Sequence, residues 1–256
     1  MEHNKNNMNS DVLPIPSSGP AALTKAALAH GRWRPGLPSA CHNEVFASSA
    51  DGGGAGAALA MALDGLRAFG MADGDSRAVL WVQDKGAMRL SGRPYLHGLP
   101  EAWRGRVIHV AAQRPEDALF ALEEGLRCRD LACVIGEIAG NPRALDFTAS
   151  RRLLLVAEKH GVPLYLVRLD ARRDLGAARM RWAVHPVPSM PPRWNAQALG
   201  APQWQAELFR ARGFTPGEWI LRDDGTGLVA GRTIPAAAPD HGDLAGPAGD
   251  RSLATF

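Results

Sequence analysis

The chain has 256 residues, 46% hydrophobic and 21% charged, which gives it apolar content for a substantial core and excludes a wholly disordered protein. Its net charge of +3 is unevenly spread: residues 140–232 carry 14 Lys/Arg against 8 Asp/Glu, and residues 233–256 carry 1 against 3. There is no apolar run of about 18 residues to cross a membrane, and Cys41, Cys128 and Cys133 lack the paired spacing of metal ligands.

Residues 1–20 are rich in Asn, Ser and Pro, have no apolar core of a signal peptide, and are expected to be disordered. A short helix is predicted over Ala21–His30, then a loop over Gly31–Ala40. Glu44–Phe46 reads as the end of a strand, Ala47–Gly54 as a small-residue loop and Gly56–Leu63 as the start of a helix. Ala78–Gln83 is a short apolar strand, with Trp81 in the core.

The clearest periodic unit begins with the strand Val107–Val110. Pro115 suits a first helical position, Glu116 and Asp117 suit the positive end of the helix dipole, and Leu119, Leu122 and Leu126 share one face. Leu131–Ile135 has the apolar run of a strand buried on both faces, with Cys133 as a small buried hydrophobe. Thr148 is the predicted cap of a further helix that ends at Gly161, ahead of strand Leu164–Val167. Alternation of strand and helix implies parallel pairing. Beyond residue 178 the pattern changes to strands Arg181–Val184, Trp204–Arg210 and Trp219–Arg222, with a turn at Asp223-Asp224-Gly225. That end is predicted to be an antiparallel edge covered by Trp204 and Trp219, and residues 233–256 a disordered tail.

The segment His42–Ala62 has the outline of a phosphate-binding strand–loop–helix but not its chemistry. A P-loop needs a Lys on the β/γ-phosphates and a Ser/Thr hydroxyl on Mg²⁺ after its last glycine. Here Gly52 is followed by Gly53 and Gly54. Hydrogen bonds to charged groups contribute about 1.5–3 kcal/mol each, so losing both contacts weakens triphosphate binding by several kcal/mol. Backbone N–H groups at the helix start remain the alternative route to an anion.

The order of these elements resembles the RecA-like ATPase core: an α/β fold with a mostly parallel sheet, flanking helices and antiparallel strands at the C-terminal edge. More closely, the chain resembles the ImuA family of damage-inducible bacterial mutagenesis proteins. The residues that carry this are His42-Asn43-Glu44-Val45-Phe46-Ala47, Gln113-Arg114-Pro115-Glu116-Asp117-Ala118-Leu119, Arg181-Trp182 and the segment from Trp204 to Trp219, within residues 21–232. The resemblance implies a SOS-response accessory protein of translesion synthesis. It would act in the cytoplasm, at the nucleoid when DNA is damaged, with an inactive Y-family polymerase homologue of the ImuB type and an error-prone replicative-type polymerase. RecA or a second copy is a further partner it suggests.

Against the active RecA pattern, Gly136 and Glu137 follow Leu131–Ile135 where a Mg²⁺-organising Asp belongs. Gln83, Asp84 and Lys85 stand where a catalytic Glu belongs. Asp84 and Glu137 are the candidate residual metal corner. With the P-loop Lys missing, ATP hydrolysis is not expected, and no cofactor is expected beyond weak ATP/Mg²⁺ binding as the alternative. The loop that faces DNA in RecA-like proteins corresponds to Arg168–Arg181. Its Arg168, Arg172, Arg173, Arg179 and Arg181 are candidate contacts to single-stranded DNA or a partner, although Asp170 and Asp174 interrupt the run. His42, predicted to precede a strand, His109 and His160 show no ligand spacing, and Trp194 is a candidate interface anchor. The rival readings are a SOS-induced cell-division inhibitor of the same degenerate class and a true NTPase with an atypical loop.

Overall fold

The computed structural model describes residues 33–37, 42–68, 75–224 and 227–231. In chain order it contains β1 (His42–Ala47), α1 (Gly53–Ala68), β2 (Ala78–Asp84), α2 (Lys85–Ser91), α3 (Glu101–Arg104), β3 (Val107–Ala112), α4 (Pro115–Arg127) and β4 (Leu131–Ala139). There follow α5 (Phe147–His160), β5 (Leu164–Leu169), β6 (Met180–Val187), β7 (Gln203–Ala211), β8 (Gly217–Asp223) and β9 (Leu228–Gly231). The strands form one sheet in the order β3-β2-β4-β5-β1-β6-β7-β8-β9. Pairing is parallel from β3 to β6 and antiparallel from β6 to β9. The fold is therefore α/β with an antiparallel C-terminal edge, as the strand–helix alternation and its loss after residue 178 imply.

Two apolar layers hold the sheet. On one face α1 packs its small residues Ala57, Ala58 and Ala62 against Val45, Ile135, Val167 and the tryptophans of the antiparallel edge. Short side chains let this helix lie close to the strands. Trp33, Trp182 and Trp219 meet edge-on or tilted, at 4.7, 5.5 and 5.8 Å between ring centroids, and Trp204 is buried in the same layer. On the other face α4 and α5 bury Leu119, Leu122, Leu126 and Leu153 against Leu80, Val134, Leu164 and Leu166. Strands covered on both sides need apolar residues at every position, which is why LACVI reads as a continuous run.

Several local expectations are corrected. The cap of α5 is Asp146, whose carboxylate accepts from the Ala149 N–H at 2.7 Å; its charge suits the helix start better than the hydroxyl of Thr148. β4 does not stop before Gly136. The missing side chain there leaves room for Leu122 and Leu166, which would lie 2.9 and 3.0 Å from a Cβ, and the strand runs on through Glu137. His42 lies inside β1 rather than before it, and α1 begins at Gly53, three residues early. β6 still runs parallel to β1, so antiparallel pairing begins only at β7. The expectations for residues 1–20, Ala21–His30, Gly225 and 233–256 lie outside the described residues.

Candidate functional site

Strands β1, β5, β4 and β2 end along one edge of the sheet, where open α/β sheets place their ligands. The loop Ser48–Gly52 joins β1 to α1 at this edge. Gly52 turns the chain with φ +61°, a conformation that favours glycine. Gly53 and Gly54 form the first turn of α1. A Cβ on Gly53 would lie 3.2 Å from Pro186 Cδ and 3.4 Å from Trp204 Cδ1. A Cβ on Gly54 would lie 2.6 Å from Ala47 Cβ and 3.1 Å from Val167 Cγ1. Gly54 stands where a P-loop carries Ser or Thr, and helix and strand are too close there to admit either.

The polar groups of the loop are bound from within. The Ser49 N–H donates to Asp170 Oδ1 at 2.9 Å and the Ser49 hydroxyl to Asp170 Oδ2 at 2.6 Å. Asp170 donates its own N–H to the Ala47 carbonyl at 3.0 Å, and it holds φ +52°, a left-handed conformation that Asp tolerates better than most residues. Donation from Ser49 keeps its carboxyl below the usual carboxylate range. The Ala50 N–H is turned to Ser48 Oγ at 3.2 Å. Asp51 adds a second carboxylate, 3.7 Å from His185 Nδ1. An incoming phosphate would meet two negative charges, with the N–H groups of Ser49 and Ala50 already in use.

Asp84 and Glu137 are also engaged. Asp84 Oδ1 accepts from the Ala87 N–H at 2.6 Å, capping α2, and from the Ala139 N–H at 3.4 Å. Glu137 is buried within β4, where Trp81 Nε1–H donates to its Oε1 at 2.7 Å and the Gln83 amide donates to the same oxygen at 3.1 Å. Ser91 Oγ lies 2.9 Å from its other oxygen. Burial raises the Glu137 carboxyl, opposed by these donors. No cluster of three or more His, Cys, Asp or Glu suited to a metal ion occurs among the described residues.

The five arginines are not one surface. Arg168 lies on β5 and Arg181 on β6, and both are buried around the buried carboxylate of Glu44. Arg181 Nε–H donates to Glu44 Oε2 at 2.6 Å, and Arg168 Nη1 lies 3.7 Å from Glu44 Oε1. Asp174 approaches each guanidinium at 3.7 Å, and both guanidiniums lie over the Phe46 ring. Arg179 pairs with Glu158 on α5. Arg173 pairs with Glu207 at 2.6 Å and stacks on Phe209 at 4.4 Å. Arg172 is exposed, its backbone fixed by Asn141. His42 sits beside this cluster, fully buried, with neither ring nitrogen hydrogen-bonded among the described residues. Burial, with Arg181 and Arg168 adding to it, lowers its pKa to about 4 against the pull of Glu44.

Sequence reasoning did not find the Asp170 clasp, the Glu44–Arg168–Arg181 cluster or the bonds to Glu137. The alternation Glu44-Val45-Phe46 carried one available signal: a charged residue on the inward face of a central strand requires a buried partner.

Sheet order and the strand–glycine loop–helix define an α/β protein with a mostly parallel sheet and an antiparallel C-terminal edge, whose loop after β1 is clasped by Asp170. No family model matches the chain. It is similar to Protein ImuA of Caulobacter vibrioides, from strain NA1000 / CB15N and from strain ATCC 19089 / CIP 103742 / CB 15, in each case 34% identical over 228 residues. The aligned part is 84% of this chain and 88% of those proteins. The chain belongs to the ImuA family.

Proposed function

We propose that the chain is a non-hydrolysing accessory protein of damage-induced mutagenesis, a folded platform in a translesion synthesis complex. The Ser49–Asp170 clasp carries this reading, because the loop that a RecA-like ATPase would offer to phosphate here holds the protein's own carboxylate. The packing of Gly54 and the engagement of Asp84 and Glu137 support it, and so does family membership. On this reading the core is RecA-like with a degenerate P-loop and acts in the cytoplasm without a cofactor. Its partners are a Y-family polymerase-like protein and an error-prone replicative-type polymerase, with RecA or self-association as a further contact. Any DNA contact by the segment after β5 falls to Arg172 and Arg173, since Arg168 and Arg181 are enclosed and Arg179 is half-buried against Glu158.

The test is damage-induced mutation frequency in a deletion strain complemented with wild type, Asp84→Asn or Glu137→Gln. A collapse on deletion, restored by all three genes, is the expected result. An unchanged frequency on deletion overturns the reading, and filamentation on expression would then favour division inhibition. Restoration by wild type but by neither variant, with submillimolar Mg-ATP binding in calorimetry, would make it an NTPase.

A further inference from the structure

We propose that a groove beside α5, away from the crevice loop, docks an acidic segment of another protein that carries a large apolar side chain. The groove encloses about 480 Å³ between α5, the residues leading into β6, and the end of β7. Its apolar side is formed by Leu154, by Ala177 and Ala178, and by two side chains that water reaches, Phe147 at 48% and Leu155 at 53% exposure. Isolated exposed apolar residues need no explanation, but two on one helix beside a recess offer a place for an anchor.

The unpaired charges around the recess are of one sign. Arg151 enters from α5, and Arg210 and Arg212 from the end of β7. All three are exposed, and among the described residues none has a carboxylate partner. The groove's one carboxylate, Glu158, is already paired with Arg179. Some exposed arginines elsewhere are answered by acids, as in Arg173–Glu207, Arg127–Glu123 and Arg114–Asp117, while others, such as Arg89, Arg143 and Arg172, pair with no carboxylate among the described residues. Here three guanidiniums flank an apolar recess without one.

Charge complementarity therefore asks for an anion, and the lining selects its kind. Guanidinium forks bind carboxylates in bidentate geometry. Sites for single-stranded nucleic acid offer successive aromatic rings for base stacking, whereas this groove has the single ring of Phe147 among leucines and alanines. A peptide with Asp or Glu beside Leu, Phe or Trp satisfies both the rim and the floor. This inference stands apart from the mutagenesis reading, since it rests on the groove alone.

The experiment presents a phage library of random dodecapeptides to the full chain and measures selected peptides, and an oligothymidylate, by fluorescence anisotropy. Selected peptides are expected to combine Asp/Glu with a large apolar residue. Arg210→Glu with Arg212→Glu should weaken them by about tenfold or more, as should Leu155→Asp, while Arg89→Glu on α2 leaves them unchanged. Thermal unfolding of each variant confirms that it is folded. No selected peptide, a basic or neutral consensus, or binding indifferent to both groove variants overturns the proposal. Oligothymidylate binding lost in the charge-reversed variant, with peptide binding retained, overturns it in favour of nucleic acid.

Discussion

Ser49 and Asp170 are 121 positions apart in sequence and joined twice, through the backbone N–H and the hydroxyl of Ser49. This pairing ties the loop after β1 to the residue that follows β5, and the Asp170 N–H returns to Ala47 at the end of β1. An internal carboxylate occupies the N–H and hydroxyl donors of Ser49. Removal of the carboxylate therefore affects loop stability before it affects ligand binding.

Asp170→Gly keeps the backbone conformation and deletes the acceptor. It is expected to cost about 1 kcal/mol, below the usual range for bonds to a charged group, because the site is exposed and solvent screens the charge. The Asp170 carboxyl is depressed in the folded state. Its contribution is therefore present above the unfolded value of about 3.9 and lost as pH falls through the folded value. Thermal melts of wild type and variant should differ at pH 6 and converge in acid.

Restoring the P-loop residues should not restore a P-loop. In Gly54→Ser the new Cβ would stand 2.6 Å from Ala47 Cβ, which is fixed to the β1 backbone. Such overpacking costs about 1–3 kcal/mol. The double variant Gly53→Lys with Gly54→Ser should have a lower urea midpoint and show no heat of Mg-ATP binding. A stable variant that binds nucleotide would mean that α1 can withdraw from β1.

What was legible in the chain is what depends on neighbours in sequence. Leu119, Leu122 and Leu126 mark a helix face by their spacing alone, and the apolar run from Leu131 marks a buried strand. The missing Lys after Gly52 was equally plain. The clasp was not, because Ser49 and Asp170 meet only once β1 and β5 pair. The arginine-rich stretch misled for a related reason: Arg168 and Arg181 look like surface charge until Glu44 on the strand between them, with Asp174, is seen to balance the pair.

That cluster separates two classes of arginine. Arg181→Ala would leave the Glu44 carboxylate buried with its shortest contact gone, and is expected to cost about 3–5 kcal/mol. Arg172→Glu should change stability by no more than about 0.5 kcal/mol. Arg172→Glu with Arg173→Gln is therefore the combination that reads DNA contact. Its affinity for single-stranded DNA should fall, with stability lowered by no more than about 1 kcal/mol through loss of the exposed Arg173–Glu207 pair. Full retained affinity would remove this segment as a DNA contact.

Glu137 is expected to behave as a structural acceptor. Glu137→Ala strands the Trp81 N–H and one N–H of the Gln83 amide, whose nitrogen also donates to the Gly92 carbonyl, at a cost of about 3 kcal/mol, while Glu137→Gln keeps an oxygen for Trp81 and costs about 1 kcal/mol. The folded carboxyl is raised by burial. Its contribution is full below the unfolded value of about 4.3 and lost as pH rises through the folded value, so the deficit of Gln should narrow at higher pH. Urea midpoints across this range check the sign. Mg²⁺ should leave tryptophan emission unchanged, and a saturable Mg²⁺ response lost in Glu137→Gln would return this carboxylate to metal binding.

His42 gives the fold a pH dependence opposite in direction to that of Glu137. Its folded pKa of about 4 lies below the ordinary 6.5, so between those values the unfolded chain binds a proton that the folded chain refuses. Stability from the neutral imidazole is complete above pH 6.5 and is lost as pH falls toward 4. At 1.36 kcal/mol per unit the loss is of order 3 kcal/mol. Replacement by leucine removes the titration and two buried nitrogens that lack hydrogen-bond partners among the described residues. His42→Leu should therefore flatten the slope of the urea midpoint between pH 6.5 and 4 without lowering stability at pH 4. An unchanged slope would mean that protonation elsewhere governs the acid transition, and that burial of the imidazole does not exclude its proton.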